Sequence, residues 1–134
     1  MSVSTLVTLR IGLFALTGVT CLVYACLALA TATPNPMPAA IPGLLGAMTG
    51  IVLTMSARFS KERIVDQAYD ELHTADATRA AVLGFWVAVL LYPVFGLLIG
   101  YGLVASNVGF AAMGPLTAAA YLLSHGWYDF RGRL

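Results

Sequence analysis

Apolar residues run along this chain in four long blocks, separated by a proline-rich stretch, a charged stretch and a short polar turn. Residues 11–30 carry no charged side chain. A helix of about 20 residues reaches about 30 Å, the thickness of a bilayer's hydrocarbon core. Arg10 marks the start of this first predicted span. The alternative, a cleaved secretory signal ending near Ala28-Leu29-Ala30, fits less well. The apolar run exceeds a typical signal core, and no basic residue precedes Arg10. A retained span is expected.

Pro34, Pro36, Pro38 and Pro42 follow, and alternate prolines hold the backbone extended while removing amide donors. A stiff external turn is predicted there, with Pro42 in the first turn of the next helix. Residues 42–57 form the second predicted span, with Gly43, Gly46 and Gly50 near one face. Gly96 and Gly100 make the same small-xxx-small spacing in the third predicted span, residues 80–104. Such spacing lets helices approach closely in lipid, so all five glycines are candidate packing positions, within the chain or between chains. Pro93 lies near the middle of the third span, where loss of one backbone bond predicts a kink; with Tyr92 it is a candidate hinge. A short turn around Ala105, Ser106 and Asn107 leads back into a fourth predicted span, residues 108–125. Trp127 and Tyr128 follow it, at the expected depth of the headgroups.

Between the second and third spans, residues 58–79 gather four of the seven basic residues and five of the six acidic ones. Ile64, Val65, Ala68 and Leu72 have helical spacing and predict an apolar stripe. Glu62, Asp66, Asp70 and His73 make a polar stripe on another face of the same helix. Asp76 or Thr74 is a candidate cap for the third span. The fold expected is therefore an all-α membrane protein of one domain, residues 1–134. It has four transmembrane helices in an antiparallel bundle, with a cytoplasmic amphipathic helix between helices 2 and 3.

Composition agrees: 60% of the residues are apolar and 10% charged, against about a quarter charged in ordinary soluble domains. A net charge of +1 offers no field for nucleic acid. Under four spans every Lys and Arg falls on one side: Arg10, Arg58, Lys61, Arg63, Arg79, Arg131 and Arg133. Positive-inside bias then puts both termini in the cytoplasm. The two hairpins also share a similar return, Ala39–Leu44 against Ala111–Leu116, the pattern that a parallel repeat would leave.

Candidate chemistry is sparse. Cys21 and Cys26 point apart on a helix and read as packing residues. Asp66, Asp70 and His73 form a candidate polar face, with His125 and Asp129 as the one possible complement for a metal. A solvated face is the simpler reading, and no metal or cofactor is expected. Haem held between His73 and His125 requires rings facing each other across the cofactor, an awkward demand on a residue outside the spans. No predicted span carries an ionisable residue at mid-depth, which disfavours coupled transport. G-x-S-x-G, H-E-x-x-H and Walker motifs are absent.

Asp70-Glu71-Leu72, a short polar stretch, and then Arg79-Ala80-Ala81-Val82-Leu83-Gly84-Phe85-Trp86 resemble the beginning of a helix in small uncharacterised bacterial inner-membrane proteins. The resemblance covers residues 70–86, implies a bacterial inner membrane and implies no activity. The function expected is that of a non-catalytic scaffold or accessory subunit, partnered by lipid and by itself or another membrane protein. A transporter or channel for a small or apolar solute is the alternative, and a metal- or haem-binding protein at the cytoplasmic face is the weaker one.

Overall fold

The computed structural model describes residues 2–38, 40–60, 62–69 and 71–132, and only the backbone of Glu62, Gln67, Ala68 and Glu71. The described chain is all helical: α1 (Val3–Thr31), α2 (Ala40–Arg58), α3 (Glu62–Ala68), α4 (Glu71–Gly100) and α5 (Ser106–Arg131). Among them α1, α2 and α4 from Leu72 onward are long and apolar enough to cross a membrane. At 26 residues, α5 has the length but is the least apolar of the four long helices. From its middle onward it carries Thr117, Ser124, His125, Asp129 and Arg131.

Local chemistry explains where the helices stop. The Ser2 hydroxyl accepts the Thr5 amide at 3.2 Å and caps α1. At the other end Ala32 turns left-handed, with φ 51°, and the amide of Thr33 returns to the carbonyl of Ala28. Tyr24 then donates to the carbonyl of Pro34 at 2.9 Å, tying the proline turn back onto α1. Ala39, at which the similar hairpin returns begin, lies outside the described residues. The third predicted span ends earlier than expected, at Gly100, where Gly102 adopts φ 70° and the Leu103 amide bonds the carbonyl of Leu98.

The segment between α2 and α4 departs most from expectation. In place of one amphipathic helix, α3 stops at Ala68 and the remainder, from Glu71, is continuous with the third predicted span. Asp76 is consequently no cap; it lies in the second turn of α4, buried, and accepts a bond from Arg79 at 3.1 Å. The break also divides the predicted polar stripe between two helices. Pro93 sits within an uninterrupted α4, and Tyr92 is 68% exposed on its outer surface.

Packing centres on α5, which lies against both α1 and α4. Along α1 from Arg10 to Gly18, the facing positions on α5 run from Asp129 to Leu123. Ala25, Phe95 and Ala112 form the buried centre, flanked by Leu91, Leu98, Ile99 and Leu116. Small residues bring the backbones close. They are not the glycines the spacing nominated. A Cβ on Gly18 would lie 2.8 Å from Leu123, one on Gly84 3.2 Å from Tyr121, and one on Gly109 3.1 Å from Ile99. Gly43, Gly46, Gly50, Gly96 and Gly100 have open space at the same position. Within the chain those five are not packing residues; any such role belongs between chains. The second predicted span, α2, rests chiefly on α1, and its one buried residue, Thr49, shares a hydroxyl hydrogen bond of 2.9 Å with Thr17.

Candidate functional site

Four polar side chains from three helices meet at the arginine-bearing end of the bundle. Arg10 is placed by the first two turns of α1, which begins well ahead of residue 11. Its Nε donates to Oδ2 of Asp129 at 2.7 Å, and both side chains are 3% exposed. Nδ1 of His73 lies 3.2 Å from the other oxygen, Oδ1. A carboxylate only accepts, so that ring nitrogen carries the proton. Asp129 thus has both oxygens engaged, one by a cation and one by an imidazole.

Aromatic faces enclose the group. The Arg10 guanidinium sits 5.0 Å from the centre of the Tyr69 ring, a cation–π distance. Tyr69 meets His73 edge-on at 5.1 Å. His73 and His125 stack, with centroids 5.1 Å apart and planes 21° from parallel. Phe14 and Tyr121 close the remaining sides of His125, at 4.8 and 5.7 Å. His125 is 3% exposed, and neither of its ring nitrogens has a hydrogen-bond partner among the described residues. Leaving a buried polar atom unsatisfied costs about 1–3 kcal/mol. Among the described residues nothing offsets that cost for the His125 imidazole.

Of the predicted polar face, the fold brings His73 and His125 together and leaves Asp66 exposed on α3. Asp70 lies outside the described residues. A haem clamp does not fit, because the two rings lie against one another and not across a cofactor-wide gap. Sequence reasoning missed the buried role of Arg10, taking it for an interfacial marker. One signal was available. Asp129 is the single acidic residue outside the central charged stretch, four positions after His125 and so on the same helical face.

A buried ion pair regains in attraction roughly what desolvation costs, so its worth lies more in specificity than in net stability. Here it joins α1 to α5 with both charges out of solvent. The fold and this site define an all-helical protein with three helices able to cross a membrane, clamped at one end by a buried Arg–Asp–His group. No protein-family model, curated protein or solved structure matches the chain.

Proposed function

We propose that this chain is a small bacterial inner-membrane protein of four antiparallel spans, α5 being the fourth, with both termini in the cytoplasm. It works as a non-catalytic accessory or scaffold subunit that associates through the open face of α2. The reading of α5 as a span draws support from its length, about 39 Å of helix, and from the clustering of its ionisable residues in the last two turns. The orientation draws support from the cations alone. Arg10, Arg58, Arg63, Arg79 and Arg131 fall at one end under this threading. Lys61 and Arg133, outside the described residues, fall on the same side by sequence.

The observation that carries association is the isolation of α2. A span in a closed bundle touches two neighbours; α2 rests chiefly on α1 and buries only Thr49. Its open side bears a shallow groove along Ala47, Gly50, Ile51, Thr54 and Met55, positions at helical spacing. Gly43 and Gly46 extend the notched surface by a turn. Lipid chains fill a smooth surface well, whereas a notched one suits the side chains of another helix.

Replacing Gly50 or Gly46 by leucine tests this without disturbing the bundle, because a Cβ at either position meets nothing within 4 Å. The mass of the native complex in mild detergent should fall toward that of the monomer in each variant. Thermal stability of the monomer should shift by less than about 0.5 kcal/mol. Retention of the wild-type mass in both variants rejects association through α2. Transport draws less support, since Tyr92 of the candidate hinge points away from the bundle. Flux into liposomes no greater than into empty vesicles is the accompanying expectation.

A further inference from the structure

We propose that His73, His125 and Asp129 form a three-ligand site for a divalent transition metal of the zinc class. It stands independently of association through α2. The three residues each offer one donor atom, and those atoms lie within 4.8 Å of one another. Tetrahedral coordination at zinc brings donors to about 3.4 Å apart, so the site closes by roughly an ångström through rotation of the imidazoles. Two imidazoles and a carboxylate are a donor set suited to zinc and its neighbours rather than to calcium or magnesium.

The independent observation is His125 itself. It is nine-tenths buried, directed into the cluster, and has no protein partner at either nitrogen among the described residues. Coordination gives one of those nitrogens a use for its lone pair. The surroundings match what metal sites require beyond their ligands. Arg10 holds Oδ2 of Asp129 and leaves Oδ1 turned toward His73. Bringing two positive charges next to Arg10 is costly, and Asp76 offsets it. That carboxylate is buried one turn beyond His73 on α4, while its own partner, Arg79, is 67% exposed. His125 and Asp129 lie four apart on one face of α5, and His73 comes from the start of α4. A bound metal would therefore fasten the cytoplasm-proximal ends of two helices. Three protein ligands leave a fourth position for water or an exchangeable ligand.

The test uses the full chain in detergent, stripped with chelator and titrated with cobalt(II) and then zinc. One cobalt per chain should bind with visible absorption of tetrahedral character, and zinc should displace it. Substituting His73→Ala or His125→Ala should weaken binding at least tenfold, whereas Asp66→Asn should leave it unchanged. Should His125→Ala fail to fold, His125→Cys keeps a donor in place and should add a thiolate-to-cobalt band. Absence of cobalt absorption above empty micelles overturns the proposal. So does binding indifferent to both histidine substitutions, binding by His125→Cys without the thiolate band, or a thiolate band in the wild type, which assigns the metal to Cys21 or Cys26.

Discussion

Arg10→Ala should lower the stability of the folded chain by about 3–5 kcal/mol, the usual cost of removing one partner from a buried ion pair. Arg10 is 2% exposed, and its loss strands the Asp129 carboxylate with His73 as its remaining described partner. The magnitude comes chiefly from that uncompensated charge and much less from the attraction lost. Replacing both partners together, Arg10→Met with Asp129→Leu, should consequently recover most of the loss, because neither charge then needs solvation. Reversible unfolding in mixed detergent, followed by helix content, measures all three proteins. Arg79→Ala is the internal comparison. Its partner Asp76 is buried, but the arginine itself is largely exposed, and exposed pairs contribute about 0–1 kcal/mol. Equal losses for Arg10→Ala and Arg79→Ala would mean that the Arg10–Asp129 pair is solvated, and the site as described would not stand.

Gly18→Leu should destabilise the same interface by about 1–3 kcal/mol, at the upper end of that range for overpacking. The first added carbon alone would stand 2.8 Å from Cγ and 2.9 Å from Cδ2 of Leu123, with Leu122 at 3.3 Å. Leu123 can turn aside for a methyl group but not for a full isobutyl, so α1 and α5 must separate. Separation strains the Arg10–Asp129 bond two turns along the same pair of helices. Gly18→Leu and Arg10→Ala combined should therefore cost less than the sum of the two. Gly46→Leu, on a helix face that meets no neighbour within the chain, is expected to be silent in the same unfolding assay. If the two glycine variants behave alike, close packing of α1 on α5 is not what the glycine serves.

These contrasts separate what one dimension carries from what it does not. Three uncharged runs, long enough for a bilayer, were legible directly, because hydropathy and length are properties of each segment by itself. The fourth run was legible as a helix, but its polar residues make it less apolar than a span read alone should be. Helix ends were readable where a residue acts on its own backbone, as the prolines do after α1. The boundary at Ala68–Glu71 was not readable: the apolar stripe of Ile64, Val65 and Leu72 continues across it, and periodicity says nothing of where a helix bends to meet a neighbour.

The site divides in the same way. His125 and Asp129 could be placed on one face from their spacing, and their pairing with His73 could be named as a possibility. Arg10 could not, because 119 positions separate it from Asp129. Glycine spacing likewise marked surfaces capable of close approach, and the fold used Gly18, Gly84 and Gly109 in their stead. By itself the sequence determined which segments are apolar enough for a bilayer, the helical secondary structure and the grouping of basic residues. Which faces turned inward, and hence which four polar side chains meet at one end of the bundle, was decided only when α1, α4 and α5 packed. Rotation of a helix about its axis costs nothing until a neighbour touches it, so that choice exists only in the assembled bundle.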